Sequence, residues 1–140
     1  MHASYVPHSL VEIQKGLQLE QDELRSINVS ADIAYFASNC NSDFRQSWVK
    51  GLMEAIPVDS YGQCEKNKEL PLHLLQLQQG PDEFALAVEN TRDVDYVTEK
   101  MYEVLQAGAV PIYLGAPNWK VIFPLPSAVI DAAAFESPPR

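Results

Sequence analysis

Glu89 and Asn90 close the apolar run FALAV, and Glu99 and Lys100 open the amphipathic run that follows it. Acid, amide, acid and base therefore meet where a strand-like segment hands over to a helix-like one. The free amides and dipole of a helix start favour a phosphate, and Lys100 adds a cation in the first turn. Glu99 would repel that phosphate, so its carboxylate better suits the paired hydroxyls of a ribose. Asn90 both donates and accepts, which fits a sugar or a backbone lock. Arg45 is the other candidate cation. Spacing alone favours a plainer alternative, in which Glu99 and Lys100 are a solvated first-turn pair and Asn90 a turn residue.

The elements that would position these groups follow from the patterning. Residues 84–88 are continuously apolar, as in a strand covered on both faces. Residues 89–95 form a loop. A helix is predicted over 96–107, with Val97, Met101, Val104 and Leu105 inward and Gly108 as its stop. Residues 110–114 return as a second strand. Strand, helix and strand imply a right-handed parallel crossover, with ligands beyond the carboxyl ends of the strands.

Upstream, residues 33–37 suit a buried strand and 45–56 a helix burying Trp48, Leu52, Met53 and Ile56, stopped by Pro57. Residues 58–61 are a second short strand turning at Gly62, and 65–81 a surface helix or loop. Residues 1–30 carry a weak stripe of Val11, Leu17, Leu19, Leu24 and Ile27, read as a peripheral helix or connector. Asn28-Val29-Ser30 is a glycosylation sequon, a weak signal that recurs by chance. His2, His8 and His73 show no ligand spacing.

A chain of 140 residues, 46% hydrophobic, builds one ordinary core. Its net charge of -9 argues against nucleic acid and against contact with an anionic membrane. Ten Lys plus Arg still suffice for a local diphosphate site. There is no apolar run of transmembrane length, and MHASYVPHSL lacks the layout of a signal peptide. The chain as given is expected to be soluble, without an anchor or signal of its own.

The blocks SNCNSDFR, VDSYGQC, FALAVEN and DYVTEK, then AGAVPIYLGAP, in this order resemble the α1,3-fucosyltransferase family, glycosyltransferase family 10. The likeness covers about residues 34–138, and VDSYGQC with NKELP is similar to the branch with protein O-fucosyltransferase-like members. It implies an α/β fold, a Rossmann-like parallel sheet flanked by helices, as one half of a GT-B fold. Residues 31–140 would be the GDP-fucose-binding domain, truncated before a final helical region. By the same resemblance Arg45 and Lys100 hold the donor diphosphate and Glu99 the ribose hydroxyls. Asn90 and Tyr96 contact the fucose-diphosphate end, and Glu89 supports the loop.

The family inverts the anomeric centre by single displacement, with a general base in an N-terminal acceptor domain that no segment of this chain resembles. The chain is therefore expected to bind GDP-fucose but not to transfer fucose to a glycan or glycoprotein acceptor alone. A non-catalytic nucleotide-binding or interaction module that keeps the fold is the alternative. No metal or other cofactor is expected. Full-length members are membrane-anchored in the Golgi or endoplasmic reticulum lumen, where Cys40 and Cys64 would bridge and stabilise by about 3 kcal/mol. Two buried thiols are the alternative.

Three local features need weighing. Asp82-Glu83-Phe84 stands where the family has an aromatic-Lys-Phe entry, and carboxylates beside an anionic donor would be unfavourable. Asp93-Val94-Asp95 resembles a metal signature of another glycosyltransferase fold, but two carboxylates make a poor cage. It is read as a solvated, helix-capping loop. Trp48 and Trp119 are read as core or rim packing, Trp119 lying in a loop that could face the cleft.

Overall fold

The computed structural model describes residues 31–76 and 82–135. The strands are β1 (Ile33–Tyr35), β2 (Asp59–Ser60), β3 (Phe84–Val88), β4 (Val110–Leu114) and β5 (Ile130–Asp131). The helices are α1 (Asp43–Ala55), α2 (Leu72–Gln76), α3 (Lys100–Gln106) and α4 (Trp119–Ile122), with 3-10 turns at Pro126–Ala128 and Ala132–Phe135. All strand pairs are parallel, in the order β2-β1-β3-β4-β5. This is the Rossmann-like sheet expected from the sequence. The connector expected over 1–30, its sequon and His2 and His8 lie outside the described residues, as do residues 77–81. His73 lies in α2 and is exposed.

Successive strand residues point to opposite faces, so β1, β3 and β4 each feed two cores. Ala34, Ala85, Ala87 and Tyr113 pack with Met101 and Val104 of α3 and with Trp119 and Phe123. Tyr35, Leu86, Val88 and Leu114 pack with Val49 of α1, backed by Trp48, Leu52 and Met53. The uninterrupted apolarity of FALAV is thus burial on both sides. Trp119 is not in a loop facing a cleft. It begins α4, is buried, and its ring centroid lies 5.5 Å from that of Tyr113.

Two helices differ from expectation at their ends. α1 begins two residues early because Ser42 caps it, its side chain accepting from the Arg45 amide at 3.2 Å. It ends at Ala55, leaving Ile56 as an extended, exposed cap before Pro57 rather than an inward residue. α3 begins at Lys100, not at residue 96. Asp95 takes a positive φ of 66°, which no helix accommodates, and the Thr98 amide is captured by a side chain. The far end of α3 closes as expected at Gly108, φ 86°. The Gly108 amide donates to Leu105 and that of Ala109 to Val104, the paired bonds of a Schellman stop.

Cys40 and Cys64 form a disulfide across a separation of 24 positions, with Cα atoms 5.5 Å apart. Among the described residues no helix is long and apolar enough to cross a membrane.

Candidate functional site

In this strand order the chain reverses direction across the sheet between β1 and β3, and a crevice opens beyond their carboxyl ends. A cavity of about 270 Å³ lies there. Its walls come from the exit of β1 (residues 35–39), the start of α1 (Arg45), the exit of β3 (Val88 and Asn90) and the first turn of α3 (Glu99, Lys100 and Glu103). Four residues singled out in the sequence, Arg45, Asn90, Glu99 and Lys100, therefore share one cavity. Glu89 lies behind it. Tyr96 does not line it; it sits half-buried in the turn before α3, its amide donating to the Asp93 carbonyl at 3.1 Å.

Arg45 is 4% exposed, a rare burial for a guanidinium. One terminal nitrogen, Nη2, donates to the Asn39 carbonyl. Its Nε has no hydrogen-bond partner, nor do the buried Tyr35 hydroxyl and Asn90 Oδ1. All three residues line the cavity. Buried polar atoms are seldom left unmatched, and three at one cavity mark a place built for a polar occupant. Burial pushes the Tyr35 hydroxyl up from its usual range, against the pull of Arg45, so it stays a neutral group able to donate.

Glu89 organises the opposite wall. Its carboxylate is fully buried yet accepts from the Thr98 amide at 2.8 Å, the Thr98 hydroxyl at 2.6 Å and the Tyr113 hydroxyl at 3.1 Å. Lys100 Nζ lies 3.5 Å from Glu89 Oε1 and donates to Thr98 Oγ1 at 3.3 Å. A buried carboxylate is tolerable when donors and a cation surround it, as here. The arrangement fixes the entry to α3 and so presents Glu99 and Lys100 to the cavity. Gly115 makes room for it: a Cβ there would meet Glu89 Cγ at 2.4 Å and the Tyr113 hydroxyl at 2.5 Å. Burial raises the Tyr113 hydroxyl well above its usual range, and the neighbouring Glu89 adds to the rise.

Sequence reasoning missed Ser42, Thr98 and Tyr113. Ser42 has a dual role: its hydroxyl accepts from the Arg45 amide and donates to the Asn90 carbonyl at 2.6 Å, tying α1 to the loop after β3. A serine followed by an acid just before an apolar-periodic run is a capping signal that could have revealed it. No local signal marks Thr98 or Tyr113, because their partner is 9 or 24 positions away.

The carboxylates of residues 82–83 do not approach the cavity. They precede β3, at the opposite end of the strand from Asn90, and Asp82 is buried against Tyr61, whose hydroxyl donates to it at 2.7 Å. The unfavourable placement inferred from sequence therefore does not arise. Asp93-Val94-Asp95 is an exposed turn, and the residue capping α3 is Glu99 rather than either aspartate. Asn118 clamps Asp95, donating to Oδ1 at 2.6 Å and accepting from the Asp95 amide at 2.9 Å.

With this geometry in place, the comparisons with known proteins fall on the same region. The profile of glycosyltransferase family 10 (fucosyltransferase), C-terminal part, matches residues 28–140. A GDP-fucose protein O-fucosyltransferase 3 from Danio rerio is 38% identical over 122 residues, covering 79% of this chain and 26% of the relative. An alpha-(1,3)-fucosyltransferase B from Drosophila melanogaster is 34% identical over 122 residues, covering 78% of this chain and 28% of the relative. A crystal structure of an alpha1,3-fucosyltransferase superimposes with a TM-score of 0.65 at 25% identity, covering 87% of this chain and 33% of that one. One with GDP-fucose matches with a TM-score of 0.54 at 27% identity, covering 73% and 29%. The chain thus spans about a quarter of the length of the curated relatives it matches.

Proposed function

The chain belongs to glycosyltransferase family 10, the fucosyltransferases, and on that premise we propose that residues 31–140 are the donor-binding half of a GT-B enzyme. It would transfer fucose from GDP-fucose, with inversion, to a glycan or glycoprotein acceptor. The observation that carries this reading is the gathering of Arg45, Asn90, Glu99 and Lys100, from three separate elements, around one cavity at the β1/β3 crevice. Arg45 and Lys100 hold the diphosphate and stabilise it as it leaves. Glu99, exposed at the cavity rim, accepts the ribose hydroxyls. Asn90 contacts the sugar-diphosphate end, with Tyr96 meeting the fucose outside the cavity proper. Glu89 touches no ligand and supports the wall.

The general base comes from a separate N-terminal acceptor domain, so this chain binds donor without turning it over. Two cations supply the charge stabilisation that a metal provides in other transferases, and no metal or further cofactor belongs to the proposal. The Cys40–Cys64 bridge supports a place in the oxidising secretory pathway, in the Golgi or endoplasmic reticulum lumen, where protein glycosylation occurs. Neither nucleic acid nor membrane is a partner of this acidic segment itself. The alternative, a non-catalytic relative that keeps the fold, draws no support from Asp82 and Glu83, which do not line the cavity.

Thermal shift with GDP and GDP-fucose tests the reading. Both ligands should raise the midpoint through mass action. Arg45→Ala and Lys100→Ala should each shrink the shift markedly without abolishing it. A folded sample that saturating GDP leaves unmoved would exclude a donor site. Turnover of GDP-fucose by the purified chain would exclude the division of labour between domains.

A further inference from the structure

Residues 38–41, of which Ser38 and Asn39 line the cavity, have no regular secondary structure. Asn41 donates to Asn39 Oδ1 within this segment. Among the described residues, two links fasten it to the rest of the fold: the Cys40–Cys64 bridge and the hydrogen bond from Arg45 to the Asn39 carbonyl. These links are one residue apart.

The two ends of the bridge differ. Cys40 is exposed, whereas Cys64 is 1% exposed and held at several points. The Cys64 amide donates to the Ala37 carbonyl at 2.9 Å, and its carbonyl accepts from the Ser60 hydroxyl at 2.7 Å. Two positions before it, Gly62 lies so close to Ala37 that a Cβ would come within 2.4 Å of the Ala37 carbonyl oxygen. The loop after β2 is thus packed closely on the exit of β1, and the bridge ties the segment beyond it to that packing.

We propose that Cys40 and Cys64 are positioning residues for the cavity: their bridge holds the Asn39 carbonyl in place, and that carbonyl orients the Arg45 guanidinium for a nucleoside diphosphate. The inference rests on the donor-site reading above. A guanidinium carries its donors in one rigid plane, so fixing one nitrogen fixes where the others point. Without the bridge the carbonyl is free to swing, and a ligand must bear the cost of ordering the loop.

Binding of GDP to the full chain, measured by calorimetry at a temperature where circular dichroism shows every variant folded, tests this. Cys40→Ser/Cys64→Ser should weaken GDP about tenfold, roughly one decade in Kd. The same pair of changes in an Arg45→Ala background should cause no further loss, because the bridge acts through that side chain. Should the double variant not fold, Cys40→Ala, which keeps the buried Cys64 side chain, is read in the same way. Equal affinity with and without the bridge, in a wild type that binds GDP, would reduce the disulfide to a staple and overturn the inference alone. An equal loss in both backgrounds would mean general loosening and would overturn it too. A wild type that fails to bind GDP would remove the donor reading on which the inference stands.

Discussion

Strand β3 has a buried carboxyl group near each end, and the two are handled in opposite ways. Glu89, at the carboxyl end, is ringed by the Thr98 amide and hydroxyl, the Tyr113 hydroxyl and Lys100. Asp82, at the amino end, has one side-chain donor, the Tyr61 hydroxyl. Its neighbour is a second buried acid, Asp59, itself near Lys68 at 3.9 Å and the Ala31 amide at 3.2 Å. Burial, reinforced by Asp59, pushes the Asp82 carboxyl up to about 7. A buried acid can be kept charged by surrounding donors or kept neutral by holding its proton. At the end of the strand that meets the cavity, donors and a cation surround the carboxyl group; at the end that meets only the fold, the carboxyl group holds its proton.

Three perturbations would break or sharpen that contrast. The largest effect is expected at Gly115, where any Cβ invades the Glu89 cluster. Gly115→Ala should cost about 3 kcal/mol, the upper end for overpacking, in urea unfolding. A loss below about 1 kcal/mol would show that the cluster yields easily. Next comes Glu89→Gln, which keeps the shape but turns a charged acceptor into an amide facing its former donors. It should cost about 2 kcal/mol and weaken GDP binding by displacing Lys100. An unchanged urea midpoint would mean that the donors find other partners.

The smallest effect concerns Asp82 and has a definite sign in pH. From about pH 4 to pH 7 the folded chain keeps a proton that the unfolded chain, with its ordinary carboxyl at 3.8, releases. The folded state then binds more protons, so stability from this group falls as pH rises through that window. Asp82→Asn should flatten the fall and raise stability at pH 8 by about 1 kcal/mol, read from urea midpoints across pH. A steeper fall in the variant would reverse the assignment of the proton. GDP affinity should be unaltered, since Asp82 stands at the far end of the strand.

The sequence showed the middle of the fold better than its joints. FALAV and VPIYL are strands over the residues expected, because continuous apolarity records burial on two faces, with Val110 at the start of β4 left exposed. The helix after β3 starts four residues later than its periodicity implies. Periodicity registers the inward Val97 and Met101, but it cannot register that Glu89 has claimed the Thr98 amide from nine positions away. For the same reason the residues of the cavity were legible and their scaffold was not. Arg45, Asn90, Glu99 and Lys100 could be chosen by what their side chains do. Tyr113 reads as one more aromatic in a strand until its hydroxyl is seen between Glu89 and the Ala116 amide. The two acids before β3 misled because sequence proximity to Glu89 hides the length of a strand.

Among the described residues the two outermost strands, β2 and β5, are only two residues long, and each contains an aspartate, Asp59 in one and Asp131 in the other. A sheet margin with unpaired amides and carbonyls is a template on which another chain can add itself. Here a foreign strand would find too little backbone to pair with: the Ser60 amide and carbonyl are already taken by Asn67 and Lys68, and Asp131 is matched by Lys120 at 3.5 Å. Among the described residues the sheet thus offers little to lateral growth at either side, while its interior strands β3 and β4 are apolar throughout. Lengthening either margin by a few β-branched residues would turn the same five strands from a self-limiting unit into a seed for aggregation.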